Sequence, residues 1–290
     1  MEIFTPQEFN FRECLHFLRR SPRELLHKVE GEAVCKLINC GSEKILFKVS
    51  GSGPQLRVEF PIAIPSEECH AEVKQYIIEW FDLDKDLKPF YELAANDPFL
   101  SDLVKKHYGY RIVGQPDLYE SLIWAVLGQQ INLNFAYTLK QQFVREYGKK
   151  LLFEGNEYFL FPEASIVSQL DLEDLLKIQF SRQKSRYTIG ISEAFVSGDI
   201  SKEKLAGLSL EKAKEKLMKI KGIGNWTANY ALMKTFRYPD AFPLEDAGLH
   251  NALRTFLQLD RKPTLDEIKK VFLNYKGWEA YATLYLRRSF

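Results

Sequence analysis

The stretch from Leu217 to Leu249 reads LMKIKGIGNWTANYALMKTFRYPDAFPLEDAGL. Apolar residues repeat at helical spacing on both sides of Lys221–Gly224, which predicts one helix ending near Ile220 and another beginning near Asn225. Two glycines two positions apart can adopt torsions that other residues resist, and they leave the first amides of the second helix open, although Asn225 could also cap them. An open helix N-terminus binds anions, and a phosphodiester could approach this one closely because no side chain is in the way.

A bare Gly-x-Gly between two helices is more often only a tight turn. The full string L-x-x-I-K-G-I-G-x-x-T-A is more specific, and it resembles the helix-hairpin-helix element that holds a nucleic-acid backbone without reading its sequence. The resemblance implies that contacts with the DNA backbone come from Lys221, Gly222, Ile223, Gly224 and Thr227. Because the element occurs in ligases, polymerases and repair nucleases, it implies contact with DNA and no particular reaction.

An acidic pair after the second helix suggests the reaction. Asp246 lies 22 residues after Gly224 at the start of another predicted helix, and this arrangement resembles the helix-hairpin-helix DNA glycosylase superfamily, in which an aspartate at this place acts on the anomeric carbon. From position alone Asp246 would be a helix N-cap, and both roles can coexist. The neighbouring Glu245 competes for the catalytic assignment. The superfamily's aspartate is usually followed three positions later by a bulky apolar residue, and Asp246 meets this pattern with Leu249.

Within that superfamily the chain resembles the DNA-3-methyladenine glycosylase II type. The likeness covers nearly the whole chain, through FNFRECLHFL near the start, FDLDKDL at Phe81–Leu87, DLYESLIWAVLGQQIN, GIGNWTANY and the late GWEAYATLYL. Bifunctional members of the superfamily place a Schiff-base lysine two residues after the second hairpin glycine, where this chain has Trp226. The resemblance therefore implies a monofunctional enzyme that leaves an abasic site without cutting the strand. The iron–sulfur members are excluded because no cysteine follows Cys69.

A single carboxylate suits the hydrolysis of an N-glycosidic bond. The transition state resembles an oxocarbenium ion, which a carboxylate below C1′ can stabilise while it orients or deprotonates the attacking water. N-alkylated purines carry a positive charge that already weakens the bond, so they need no general acid, and they should stack well on aromatic rings. By resemblance the base pocket contains Trp226, Tyr230 and Trp278. Trp124 lies on an apolar helix face and is expected in the core.

A base inside a duplex must be rotated out before its bond can be cut, and the gap that it leaves must be filled. In the superfamily the filling side chain follows the helix that here ends in Leu127-Gly128. Gln130 matches this wedge position, and Ile131 is the reserve candidate because an apolar wedge is more typical. A plain loop between two helices is the alternative interpretation.

The charge is balanced over the whole chain and unbalanced near the hairpin. With 40 Lys and Arg against 39 Asp and Glu in 290 residues, the formal charge of +1 neither demands nor forbids an anionic partner. Between Ser201 and Asp240, however, nine basic residues face four acidic ones. We therefore expect nonspecific, salt-sensitive binding to a nucleic-acid backbone, with Lys221 and Lys234 facing solvent or phosphate. The resemblance implies that the partner is double-stranded DNA that contains damaged bases.

The predicted fold class is α+β. Between residues 33 and 62 the runs AVCKLINC, KILFKVS and LRVEFPI predict an antiparallel meander, preceded by the helix FRECLHFLRRS and followed by SEECHAEVKQYIIEWF, which Ser66 can cap. We expect residues 1–88 to form a small N-terminal antiparallel β-sheet domain with flanking helices. Residues 89–290 should form an all-α helix-hairpin-helix glycosylase region, whose first part can pack against the first domain. A short hairpin at Leu151–Phe161 is the exception in that region.

No apolar run is long enough to span a membrane, and the N-terminus lacks the features of a signal peptide, so a cytoplasmic protein without membrane contact is expected. The four cysteines, Cys14, Cys35, Cys40 and Cys69, match no zinc or iron–sulfur spacing and are interpreted as small buried residues without a disulfide. The expected chemistry needs no cofactor and no metal, although the resemblance allows a monovalent ion at the hairpin carbonyls. The protein is expected to act as a monomer.

Two other functions fit the same residues. A glycosylase for oxidised or deaminated bases would need hydrogen-bond partners for a neutral base and more assistance to the leaving group. A non-catalytic DNA-binding protein with a degenerate site would contain the same hairpin without the reaction.

Overall fold

The computed structural model of the protein describes residues 1–289. Its N-terminal part contains five strands and two longer helices, which are β1 (Glu2–Phe4), α1 (Phe11–Leu18), β2 (His27–Glu30), β3 (Ala33–Cys40), β4 (Glu43–Ser52), β5 (Gln55–Glu59) and α2 (Glu67–Trp80). The following part is helical except for one hairpin, and its elements are α3 (Lys88–Ala94), α4 (Ser101–Lys106), α5 (Leu118–Gly128), α6 (Leu133–Tyr147), β6 (Lys150–Phe153), β7 (Asn156–Phe159), α7 (Ala164–Val167), α8 (Leu172–Lys177), α9 (Arg182–Val196), α10 (Lys202–Leu205), α11 (Leu210–Met218), α12 (Asn225–Phe236), α13 (Ala247–Phe256), α14 (Leu265–Phe272), a 3₁₀ turn (Leu273–Tyr275) and α15 (Glu279–Arg287). The predicted fold class, a small antiparallel sheet unit followed by a helical region, is confirmed.

The sheet is antiparallel throughout, in the order β1-β5-β4-β3-β2. The predicted meander is its centre, and β1 and β2 add a short strand at each edge that the sequence pattern did not indicate. Alternate residues of β3 and β4, such as Val34 and Phe47, pack with α1 and α2 in one apolar cluster. On the opposite face Leu37 and Leu46 pack against Tyr158 of the β6–β7 hairpin. The sheet is therefore covered on both faces, and the hairpin predicted at Leu151–Phe161 supplies part of the second cover.

The interpretation of all four cysteines as unlinked residues was wrong for one pair. Cys40 and Cys69 form a disulfide with a Cα–Cα distance of 5.7 Å, while Cys14 and Cys35 are buried and free. The disulfide joins the end of β3 to the first turn of α2, where Ser66 caps the helix as predicted by accepting the amide of Cys69. Since 29 residues separate the two cysteines, only the packing of α2 across the sheet brings them together.

Helices α5 and α12 form the centre of the helical region. Every residue of α5 from Leu118 to Leu127 is buried, and so is every residue of α12 from Thr227 to Thr235. The two helices run in opposite directions. The amide just before α5, that of Gln115, donates to the Lys234 carbonyl near the end of α12 at 2.7 Å, and Trp124 near the end of α5 donates from Nε1 to the Tyr230 hydroxyl at 3.1 Å. Trp124 is a core residue, as expected.

The two parts of the chain are joined by buried polar contacts. Arg111 is fully buried and donates from Nε to the Glu8 carbonyl at 2.7 Å, and from Nη1 to the carbonyls of Asp82 and Lys85 at 2.6 and 2.8 Å. Asp82 itself accepts a hydrogen bond from Tyr281 of α15 and lies 3.4 Å from Arg237. Burial raises the pKa of Asp82 to about 6.

No helix within residues 1–289 is long and apolar enough to cross a membrane.

Replacing Arg111 by Met should destabilise the protein by about 3 kcal/mol or more, because three buried carbonyl groups lose their donor and each such loss costs roughly 1 kcal/mol or above. The free energy of unfolding from urea titrations is the measurement. Arg254, which is exposed on α13, provides the control, and Arg254→Met should change the value by less than about 0.5 kcal/mol. Equal effects of the two substitutions would contradict this account of Arg111.

Candidate functional site

The helix-hairpin-helix element is present as predicted, formed by α11, α12 and the turn between them. Gly222 has a φ of +97°, and a Cβ at this position would lie 2.3 Å from the ring of Tyr187, so only glycine fits. Gly224 is the N-cap of α12 and provides no side chain to the helix. The amides of Gly224, Asn225 and Trp226 have no backbone acceptor within the described part of the chain. The turn therefore presents open amides to an incoming anion.

Asn225 does not cap α12, contrary to one expectation. It is the first residue of the helix, and its Nδ2 donates to the carboxylate of Glu245 at 3.1 and 3.4 Å. Asn229, one turn later and buried, donates to Asn225 and accepts the amide of Phe242 at 3.2 Å. These amide side chains fix the segment before α13 against the start of α12, and they therefore decide where the acidic pair lies.

Asp246 is the N-cap of α13, and its Oδ1 accepts the Leu249 amide at 2.9 Å. The residue is buried, whereas Glu245 is exposed and turned toward Asn225. The second oxygen of the Asp246 carboxylate, Oδ2, is not used by the cap. Of the two acidic residues, Asp246 is the buried one, and the first turn of α13 sets its position.

Arg287, a residue that the sequence interpretation missed, occupies that second oxygen. Its Nη1 lies 3.4 Å from Asp246 Oδ2, and its side chain is 42% exposed. The guanidinium crosses the first turn of α13 over Gly248, where a Cβ would lie 2.7 Å from the Nε of Arg287. The next residue, Arg288, is tied to Glu13 of α1 at 3.0 Å, which holds the end of α15 in place. The site consequently contains one carboxylate and one cation.

Two of the three aromatic residues predicted for the base pocket lie together. Trp226 and Tyr230 stack with ring centroids 5.2 Å apart at an interplanar angle of 21°. Tyr230 is buried and Trp226 is half-buried, so the pair offers an accessible aromatic face one turn from the open amides.

Trp278 does not join this pair. It is the N-cap residue of α15, and its ring packs against Phe90 and Tyr281 at centroid distances of 5.8 and 5.9 Å. The nine residues of α15 span roughly 12 Å at 1.5 Å per residue, so Trp278 and Arg287 lie at opposite ends of the helix. Helix α15 therefore begins at Trp278, whose place in the base pocket stays a prediction, and ends at Arg287 beside Asp246.

The predicted wedge turn follows α5. Gln130 is exposed and has a φ of +57°, a backbone conformation that is uncommon for residues other than glycine, and Ile131 is half-buried against the helical core. The preceding residue, Gln129, donates from Nε2 to the Gly222 carbonyl at 3.0 Å and to the Thr227 hydroxyl at 2.9 Å. The turn therefore projects the side chain of Gln130 outward directly beside the hairpin.

Three residues that were predicted to contact the DNA backbone or to face phosphate have buried side chains, and these are Thr227, Ile223 and Lys234. Thr227 is only 2% exposed and its hydroxyl is bound by Gln129, so it supports the hairpin from inside. The side chain of Ile223 is also buried, while Lys221 is exposed at the tip. Lys234 is neither solvated nor free for phosphate, because it is buried in the helical core, donates to the Val113 carbonyl and has a pKa that burial lowers well below the usual range.

Most of the basic residues counted near the hairpin lie on α11 and the turn. Five lysines there have no ion-pair partner among residues 1–289, and these are Lys212, Lys214, Lys216, Lys219 and Lys221. Lys202 from the same count pairs with Glu79 instead.

Residues 1–289 contain no group of three His, Cys, Asp or Glu side chains that could hold a metal ion.

A cavity of about 560 Å³ lies elsewhere, between the sheet and the first turn of α5, and none of the predicted site residues lines it. Its lining includes Lys36, Tyr76 and Asp117. This cavity is therefore separate from the candidate site.

Two family descriptions match the chain. Residues 123–276 match the HhH-GPD superfamily of base excision DNA repair proteins, and residues 7–122 match the N-terminal domain of 8-oxoguanine DNA glycosylase. A DNA-3-methyladenine glycosylase of Bacillus subtilis is 43% identical over 289 residues, which cover 99% of this chain and 95% of that protein. DNA-3-methyladenine glycosylase 2 of Escherichia coli is 27% identical over 180 residues, 61% of this chain and 60% of that protein.

Solved structures show the same fold. The 3-methyladenine DNA-glycosylase from Archaeoglobus fulgidus superposes with a TM-score of 0.86 at 20% identity, covering 99% of this chain and 97% of that one. An 8-oxoguanine glycosylase/lyase of Clostridium acetobutylicum in complex with double-stranded DNA gives 0.76 at 20% identity, over 97% and 91%. The chain belongs to the HhH-GPD superfamily of base excision DNA repair proteins and is a DNA glycosylase, an enzyme that hydrolyses N-glycosyl bonds in DNA.

Proposed function

We propose that this glycosylase is a monofunctional enzyme that excises alkylated purines of the 3-methyladenine type from duplex DNA. The observation that carries the proposal is the combination of one fixed carboxylate, Asp246, with the stacked pair Trp226 and Tyr230 and no lysine at the position after the hairpin where a Schiff base would form. The 43% identical relative named DNA-3-methyladenine glycosylase supports the same substrate class.

The carboxylate of Asp246 would stabilise positive charge on the sugar and orient water at C1′. Its Oδ1 is bound to the helix amide, which keeps the group at one place, and its Oδ2, which lies 3.4 Å from Arg287, would face the reacting sugar. The scissile bond of an N-alkylated purine breaks without protonation of the base, so one carboxylate suffices. No amine attacks the sugar, and the product is an abasic site in an intact strand.

The base would be held by stacking. An electron-poor alkylated ring placed against Trp226 gains a cation–π contribution of roughly 1 to 2 kcal/mol. The DNA backbone would lie on the open amides at Gly224–Trp226 beside Lys221, and the basic face of α11 would attract it from a distance. Gln130, with Ile131 behind it, would fill the gap in the duplex. We propose that one copy of the chain acts alone, since these parts all belong to a single chain.

A second candidate function is favoured by one observation. Arg287 brings a positive charge to the site, and a guanidinium suits a neutral base with hydrogen-bond acceptors better than a cationic one. The match of residues 7–122 to the N-terminal domain of 8-oxoguanine DNA glycosylase points the same way. Excision of oxidised or deaminated bases is therefore the alternative substrate class.

Asp246→Asn should lower base release by at least about a hundredfold, because the substitution removes the charge that stabilises the oxocarbenium ion. Free bases released from methylated DNA, separated by chromatography, provide the measurement, and 3-methyladenine should be among the products of the parent enzyme. Glu245→Gln is the control and should remain within a few-fold of the parent. Release at the parental rate by Asp246→Asn would refute the catalytic assignment. A parent that releases no methylated purine, but releases hypoxanthine or 8-oxoguanine from DNA that contains these bases, would select the alternative.

Arg287→Ala should shift selectivity toward cationic bases by roughly threefold to tenfold, since removing a nearby positive charge stabilises a bound cation relative to a neutral base. The measurement is the ratio of single-turnover rates for 7-methylguanine, which is cationic in DNA, and hypoxanthine, which is neutral. Arg287→Lys keeps the charge and should keep the ratio. An unchanged or reversed ratio in Arg287→Ala would show that the guanidinium does not face the base.

A further inference from the structure

Gln129 connects two turns that are far apart in sequence. It is the C-cap residue of α5, and its Nε2 donates both to the Gly222 carbonyl in the hairpin and to the Thr227 hydroxyl in the first turn of α12. A backbone carbonyl can only accept, so the amide nitrogen of Gln129 must face it, and the orientation of the side chain is fixed. One amide group thereby joins the wedge turn to the hairpin.

Lys184 of α9 also binds the wedge turn, through backbone carbonyls at the end of α5. It is only 8% exposed, and its Nζ donates to the carbonyls of Val126 at 2.9 Å and Gln129 at 2.7 Å. These carbonyls lie at the C-terminal end of α5, where the helix dipole is negative, and the Val126 carbonyl also accepts the Gln129 amide at 3.2 Å. The buried ammonium therefore satisfies the end of α5 and fixes the backbone from which the wedge begins.

Helix α9 supports the hairpin as well. Tyr187, three residues after Lys184 and so on the same face of the helix, lies directly beneath Gly222. Its hydroxyl accepts a hydrogen bond from Gln183 at 2.8 Å, which fixes the ring. The wedge turn and the hairpin thus rest on one helix in addition to being joined by Gln129.

Such a connection has a consequence for base flipping. A wedge can displace a base only if it keeps its position when it meets the stacked duplex. It must therefore be held rigidly relative to the part of the protein that binds the phosphates. The left-handed backbone conformation of Gln130 is unfavourable for a residue with a side chain and persists only where its flanks are held. Gln129 and Lys184 hold the flank that precedes it.

We propose that Gln129 and Lys184 are positioning residues that fix the wedge turn to the DNA-binding hairpin, so that the wedge and the backbone clamp act on the duplex as one rigid body. The proposal rests on the proposed function only in taking Gln130 and Ile131 as the wedge. Neither positioning residue touches the sugar or the base in this arrangement. Their loss should impair the opening of a base pair and leave the chemistry on an already unpaired base intact.

The decisive experiment compares a paired lesion with an unpaired one. Single-turnover excision of a methylated purine is measured in a normal duplex and in a single-nucleotide bulge, where the cost of extrusion is small. Gln129→Glu keeps the shape of the side chain and removes the donor, and Gln129→Met removes all polarity. Both should slow excision from the duplex by about tenfold or more, as expected for a lost buried hydrogen bond, and excision from the bulge by less than about threefold.

The control is Gln169→Glu, an exposed glutamine after α7, which should leave both rates unchanged. Lys184→Met tests the second residue, with the thermal midpoint of each variant measured to separate positioning from unfolding. An equal loss on both substrates at an unchanged thermal midpoint, or no loss on either, would overturn the proposal. If Lys184→Met fails to fold, the two Gln129 variants decide alone.

A measurement without chemistry separates this proposal from the substrate assignment. A duplex carrying an abasic analogue beside 2-aminopurine gains fluorescence when a wedge unstacks the reporter base. The parent should raise the fluorescence at saturating protein, and Gln129→Glu should raise it by less than half as much although it binds. This result stands whether or not the parent releases methylated purines, so failure of the proposed substrate and failure of the positioning role give different outcomes.

Discussion

The antiparallel contact between α5 and α12 is the constraint on which the functional parts depend. Both helices are buried along almost their whole length, so neither can shift without disrupting the helical core. Three polar contacts fix their relative position, at Gln115 with the Lys234 carbonyl, at Trp124 with Tyr230 and at Gln129 with Thr227. The C-terminal end of α5 leads into the turn that we propose as the wedge, and the N-terminal end of α12 begins at the hairpin. The positions of these two exposed, irregular turns are therefore set by the packing of two buried helices.

The carboxylate is placed by a different device. Asn225 and Asn229 bind the segment that leads into α13, and the first turn of α13 binds Asp246. The N-cap and the catalytic carboxylate proposed here are the same group, so the interaction that starts the helix also orients the reactive oxygen. Arg287 lies beside the other oxygen of this carboxylate, where we propose that it adds to the charge that a bound base meets. Oδ1 of Asp246 therefore caps the helix, and Oδ2 is the oxygen that we propose takes part in the reaction.

Much of this could be predicted from the sequence because the signals are local. The hairpin glycines, the N-cap at Asp246 and the three central strands each follow from residues within one turn or one alternating run. Strands β1 and β2, of three and four residues, are too short for a periodic signal. The Cys40–Cys69 disulfide and the buried state of Lys234 depend on packing between distant segments. Arg287 was missed because its contact with Asp246 depends on which end of α15 meets α13, and periodicity carries no such information.

Helix α12 differs from its neighbours in how it begins. Helices α6, α9, α11, α13 and α14 each start with a side chain that accepts a backbone amide, whereas α12 starts with Gly224 and leaves that position empty. If a phosphate of DNA takes the place of the missing cap, the ligand completes a piece of the protein's own secondary structure. Part of the binding free energy would then be helix stabilisation that every other helix in this group already obtains from its own sequence. The affinity of the enzyme for undamaged DNA would then come partly from the missing side-chain cap of α12. This contribution would be present at every nucleotide that the enzyme meets during its search.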